Sequence, residues 1–266
     1  MSTLYEGSKY ADQVETDLYN NILGCVNFAG DKFYYENRLC TTKAFDRSTW
    51  FGTACCPPNF TRTILQVGGY IYNTTSNAIY INQYVSNKAN FSFGDNHVNV
   101  DMKSGFPYKG EGEIKITPDS TGNFDVYLRN PNWSDNYTIK VDGSTVTPKE
   151  VEGYLVISGH TWQQSGSTIT FNFDMPVKYE KNDSHVKESE GLIALRHGPL
   201  LYCSEEVDYS PTDFNFNKAS IDQSGTYSFK TEDLTPGNAS DNGVSTVDVM
   251  THDGYYVKDT GLEKIQ

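Results

Sequence analysis

No run of apolar residues in this 266-residue chain approaches the ~20 that a membrane-crossing helix needs. Met1 to Tyr10 also lacks a basic stretch leading into an apolar core, so neither a membrane span nor a leader is expected. A soluble chain of unassigned compartment follows. Positive charge is scarce: 21 Lys and Arg stand against 34 Asp and Glu, a formal net charge of -13. That deficit excludes nucleic acid and anionic membrane as partners, because neither polyanion is attracted to an acidic surface. Tryptophan is also rare, with 3 against 19 Tyr and 14 Phe, and 22 Gly accompany many Asn, Ser and Thr. Such a composition favours strands and turns over helices. The five cysteines (Cys25, Cys40, Cys55, Cys56, Cys203) are odd in number and have no framework spacing, which leaves the redox compartment open.

The most informative of these cysteines are adjacent. Cys55-Cys56 lies in Trp50-Phe51-Gly52-Thr53-Ala54-Cys55-Cys56-Pro57-Pro58-Asn59, and the two prolines predict the first turn of a helix, where their missing N–H groups would have no partner. A helix start offers free N–H donors and positive dipole potential, both of which favour thiolate over thiol. Two neighbouring thiols can bind one soft cation but do not readily close a strain-free disulfide with each other. Metal binding and nucleophilic attack are both open at this point, beside the plainer reading of two buried free thiols.

Tyr10, Val14, Leu18 and Ile22 recur every four residues and predict a helix from Lys9 to about Gly24. Phe33-Tyr34-Tyr35 reads as a short extended segment, and a second helix is expected from Pro57 to Gly68, with Phe60, Ile64, Leu65 and Val67 as its apolar residues. From Tyr70 onward the period becomes two, through Ile79, Ile81, Tyr84, Ile114-Ile116, Val126-Leu128, Ile139-Val141, Leu155-Ile157 and Ile169-Phe171-Phe173. These predict a run of antiparallel strands in a sandwich of jelly-roll type, with Asp142-Gly143 as a hairpin turn. A further strand pair, Leu192–Leu195 and Leu200–Cys203, flanks Arg196-His197-Gly198-Pro199, and the residues beyond Asp208 give weak strand signals. Three regions are therefore expected: residues 1–75 carrying the double cysteine, a β-sandwich over 76–183, and a second β unit over 184–266 that reads as incomplete.

Trp50-Phe51-Gly52 with Cys55-Cys56-Pro57-Pro58-Asn59, then Gly68-Gly69-Tyr70-Ile71-Tyr72, resembles the β-L-arabinofuranosidase family, glycoside hydrolase family 127. Further landmarks follow in the family's order: Leu128-Arg129-Asn130-Pro131-Asn132-Trp133, Gly153-Tyr154, Met175-Pro176-Val177 and Ala194 to Cys203. Tyr10 to Asn20 is similar to a late helix of its catalytic barrel. The resemblance implies a mainly β chain in which the last helices of an (α/α)6 barrel precede antiparallel β-sandwich domains. It also implies a retaining exo-glycosidase that releases terminal L-arabinofuranose from an oligosaccharide or glycoconjugate. Cys55 would be the nucleophile, and Cys55 and Cys56 would be ligands of a zinc ion. The family's acid/base glutamate and a Glu-X-Cys zinc-ligand pair would precede the helix at Tyr10, so the expectation is a C-terminal portion with an incomplete zinc site. A homodimer stays open.

Other residues carry less. Trp50 and Phe51 are the best candidates for a sugar platform, with core packing about as well supported. Cys40 and Glu36 could replace missing ligands but read as filler. Cys25 and Cys203 read as packing residues, His197 as a hydrogen-bonded structural residue, and Glu188, Glu190, Glu205 and Glu206 as solvated charges rather than an acid pair. The competing function is a non-catalytic β-sandwich scaffold or carbohydrate-binding module.

Overall fold

The structure is a computed structural model; it describes residues 7–27, 29–36, 38, 46–93, 96–204, 218–233, 246–252, 254–258 and 261–265. Two compact units divide the chain. The first takes in residues up to Val26, then Lys32–Pro176 and His197–Leu200, and the second takes in Asn27–Asp31, Val177–Arg196 and the residues from Leu201 onward.

Three helices belong to the first unit: α1 (Lys9–Asp17), α2 (Cys56–Gln66) and α3 (Gly68–Ile71). The helix expected to run to Gly24 is α-helical only to Asp17, then widens to a π-turn over Leu18–Ile22 and tightens to 3₁₀ over Leu23–Cys25. Asn20 accounts for the change. Its side-chain amide donates to the Thr16 carbonyl (2.9 Å), the acceptor that a continuing α-helix would have used, and to the Pro199 carbonyl (2.8 Å). The buried face of α1 also differs from the expected apolar stripe. Ala11, Asp12, Glu15 and Leu18 are buried, whereas Tyr10, Val14 and Ile22 are only half-buried.

Thirteen strands follow in this unit: β1 (Tyr72–Thr74), β2 (Ala78–Ile81), β3 (Asn87–Phe93), β4 (Asn96–Ser104), β5 (Glu111–Pro118), β6 (Gly122–Asn123), β7 (Asp125–Arg129), β8 (Tyr137–Val141), β9 (Ser144–Val146), β10 (Lys149–Val151), β11 (Tyr154–Ile157), β12 (Thr161–Trp162) and β13 (Ser167–Phe173). One sheet has the order β1-β2-β7-β11-β10 and the other β3-β4-β5-β13-β8-β9, while β6 and β12 pair separately. The period-two residues all point into one core. Ile79, Ile81, Val126, Leu128, Leu155 and Ile157 from the first sheet meet Ile114, Ile116, Ile139, Val141, Ile169, Phe171 and Phe173 from the second. The expected hairpin is present, with Asp142 and Gly143 at φ 50° and 80°, and Glu152-Gly153 repeats that geometry between β10 and β11. One pairing differs from the antiparallel expectation: β2 and β7 are parallel. The chain between them crosses to the other sheet and back, which is the long connection a parallel pair needs.

Buried charge joins α1 to the sandwich. The Arg129 side chain is fully buried, and its guanidinium donates to Asp12 (2.7 Å), to Glu15 and to the Asn82 carbonyl (2.5 Å). Trp133 Nε1 donates to the other Glu15 oxygen (2.8 Å), and Gln83 Nε2 donates to the Ala11 carbonyl (2.7 Å). Burial opposes the charge on Arg129, but Glu15 and Asp12 more than offset it and raise its pKa further.

In the second unit β14 (Val177–Lys181), β15 (Ile193–His197) and β16 (Leu200–Tyr202) form one sheet, β17 (Ala219–Ile221), β20 (Gly254–Lys258) and β21 (Gly261–Ile265) another, and β18 (Tyr227–Asp233) pairs with β19 (Thr246–His252). Tyr179 of β14 and His252 of β19 share a 2.6 Å hydrogen bond. No described helix is long and apolar enough to cross a membrane.

Candidate active site

Helix α2 begins at Cys56, with Cys55 at its N-cap and Pro57 and Pro58 in its first turn. The prolines lack N–H groups, so of the first three helical positions only Cys56 has a donor to offer. Asn59 closes the turn: its backbone N–H and its side-chain amide both donate to the Cys55 carbonyl, at 3.2 and 2.8 Å. The residues that make the motif recognisable are thus the ones that build its turn.

The two sulfurs lie 3.6 Å apart, and Cys55 Sγ is 3.2 Å from the Tyr35 hydroxyl. Cys55 is exposed and Cys56 half-buried. The thiols are driven apart in acidity. Hydrogen bonds from Tyr35, then from Cys56 and from the backbone N–H groups of both cysteines, lower the pKa of Cys55 against a smaller opposing effect of burial. The same sulfur contact raises Cys56, helped by burial. Cys55 is the readier thiolate. Sequence reading missed Tyr35, which lies twenty positions earlier on a separate loop. Only its place in a Tyr-rich segment marked it.

The bite of the pair suits zinc. Two Zn–S bonds of about 2.3 Å at a tetrahedral angle hold sulfurs roughly 3.8 Å apart, close to the 3.6 Å found. The donor count is lower than a closed site needs: among the described residues no group of three or more His, Cys, Asp or Glu could hold a metal ion.

Trp50 lies 61% exposed on an open groove of about 480 Å³, lined also by Phe33, Pro57, Pro58 and Leu65. Phe51 meets Tyr35 edge-on at 5.2 Å. Glu36 pairs with Arg38 at 3.1 Å, and Cys40 lies outside the described residues. Cys25 is half-buried, and its thiol donates to the Ile22 carbonyl at 2.9 Å. Cys203, expected to pack, is exposed, one residue past the end of β16. His197 is half-buried in its hairpin. Glu188 and Glu190 are exposed, and Glu205 and Glu206 lie outside the described residues.

The segment that carries the double cysteine is thus followed along the chain by a β-sandwich and then by a second β unit. Sequence models of three successive domains match: the GH127 β-L-arabinofuranosidase catalytic domain over residues 1–69, its middle domain over 78–175 and the family 127 C-terminal domain over 177–252. The chain belongs to glycoside hydrolase family 127. The non-reducing end β-L-arabinofuranosidase of Bifidobacterium longum subsp. longum is 33% identical over 239 residues, spanning 82% of this chain and 35% of that protein. The crystal structure of a GH127 β-L-arabinofuranosidase from Geobacillus stearothermophilus T6 superimposes with a TM-score of 0.87 at 28% identity, covering 98% of this chain and 43% of that one. A second GH127 β-arabinofuranosidase structure gives a TM-score of 0.84 at 28% identity, covering 98% and 42%. The chain therefore spans well under half the length of these relatives.

Proposed function

We propose that this chain forms the C-terminal portion of a retaining exo-glycosidase that releases terminal L-arabinofuranose from an oligosaccharide or glycoconjugate, with Cys55 as nucleophile. The observation that carries the reading is the Cys55 sulfur, exposed at a helix start and held by a phenol and backbone N–H groups. A thiolate in that setting attacks the anomeric carbon as the bond to the leaving oxygen breaks, and a thioglycosyl intermediate of inverted configuration forms. Water then displaces the sulfur with a second inversion, so the sugar leaves with its configuration retained. By the family resemblance, a glutamate of the catalytic domain protonates the leaving oxygen and later deprotonates the water. Trp50, exposed on the groove beside the two prolines, is the candidate sugar platform.

Cys55 and Cys56 would hold zinc, which when bound keeps sulfur deprotonated at neutral pH. Their partners by resemblance are a Glu-X-Cys pair, and this chain contains no such triplet. A second reading is a non-catalytic scaffold or carbohydrate-binding module, which the β-sandwich with its own buried core would supply. Zinc stoichiometry combined with thiol titration on the purified chain tests the first. One bound equivalent that protects two thiols supports a zinc-bound thiolate site in this chain, and two freely reactive thiols without metal refute one.

A further inference from the structure

Cys55 and Cys56 carry the same group one residue apart, with sulfurs separated by 3.6 Å. Access already favours Cys55, which is exposed where Cys56 is half-buried, but an electrophile at one sulfur is close to the other, so the surroundings of each bear on which reacts. Their company differs. The Tyr35 hydroxyl lies 3.2 Å from Cys55 Sγ, whereas among the described residues the Cys56 sulfur bonds only to that of Cys55. Tyr35 is itself held in place. Its ring meets Phe51 edge-on at 5.2 Å, Phe33 bridges to both Val26 and Ser48, and the Tyr34 N–H donates to the Cys25 carbonyl at 2.8 Å.

We propose that Tyr35 makes Cys55, and not Cys56, the reacting sulfur, by donating its hydroxyl proton in a hydrogen bond to the Cys55 sulfur. The inference rests on the reading of Cys55 as nucleophile and adds the residue that selects it. The same donor serves both displacements. It stabilises the negative sulfur before attack and again as the sulfur departs with the electrons of the broken C–S bond, and its proton stays on the phenol oxygen throughout.

The test is limited alkylation of the whole, reduced, metal-free chain with iodoacetamide at neutral pH, each cysteine peptide being quantified by mass spectrometry. The reagent carbon joins sulfur and iodide leaves. Wild-type chain is expected to label Cys55 severalfold ahead of Cys56, and Tyr35→Phe to shrink that lead severalfold while the exposed Cys203 labels at an unchanged rate. In a Cys55→Ser background, Tyr35→Phe is expected to leave Cys56 labelling unchanged, because the phenol acts on Cys55 alone. A Cys55 lead that Tyr35→Phe leaves undiminished, or a change at Cys56 in the Cys55→Ser background, overturns the role of Tyr35. Absence of any Cys55 lead in the wild type overturns the nucleophile reading with it.

Discussion

Replacing Arg129 by Met tests whether buried charge holds the catalytic-domain helix to the sandwich. The side chain is fully buried and answers two carboxylates, Asp12 and Glu15, that are themselves buried on α1. Met keeps much of the volume but leaves both carboxylates without a cation, and breaking a buried pair this way costs about 3–5 kcal/mol. For a domain of this size each kcal/mol moves the midpoint by roughly 2–4 °C, so the expected fall is about 6–20 °C. Urea and thermal unfolding followed by tryptophan fluorescence measure it well. Trp133 donates to Glu15 and is buried with Trp162, so the signal reports the affected locus. The triple variant Asp12→Asn, Glu15→Gln, Arg129→Met removes the charges together and is expected to be more stable than Arg129→Met alone. A loss below about 1 kcal/mol for Arg129→Met, typical of a surface pair, would refute the reasoning. So would a triple variant as unstable as the single one.

Asp174 accepts hydrogen bonds from Ser134 and from the Asp135 and Asn136 N–H groups; burial opposes its ionisation, but these bonds outweigh it and bring its pKa to about 2. A folded pKa below the unfolded one gives stability that is present above the unfolded value and lost as pH falls toward 2; Asp174→Asn is expected to flatten acid unfolding curves in that window. Gly153 sits at φ 80°, and a Cβ added there would lie only 2.0 Å from Ser8 Oγ, so Gly153→Ala should destabilise by about 1–3 kcal/mol. Adding Ser8→Gly is expected to relieve the clash but not the backbone strain, as read by the unfolding midpoint. Leu65 is 81% exposed, and Leu65→Lys should move the urea unfolding midpoint by no more than about 0.5 kcal/mol of stability.

The sandwich was legible because its strands bury one face each, which stamps period two on the sequence. The exceptions have local causes. β4 alternates Val98, Val100 and Met102 with polar residues just as β5 does, but Asn, Ser and Lys on its outer face and on the edge strand β3 diluted the pattern. Helix α1 misled for the opposite reason. Its four-residue apolar spacing is real, yet the face it buries is charged, because Arg129 lies more than a hundred residues away and no local pattern reveals a partner at that range. Arg129, Trp133 and Gly153, which the sequence offers only as family landmarks, prove to be contacts that seat α1 against the sandwich.

The site divides in the same way. Cys55 and Cys56 announce themselves because adjacency and the following prolines are local facts, and local facts also set the turn that frees the Cys56 N–H. The difference between the two thiols is only partly local. Its distant part is Tyr35, brought to Cys55 by an extended segment tied to Ser48 and Cys25 through backbone hydrogen bonds. A motif can therefore name the pair, but one contact that distinguishes the two sulfurs, the Tyr35 hydroxyl against Cys55, comes from outside the motif. Changing Tyr35 should accordingly alter which sulfur reacts without altering the helix that presents them both.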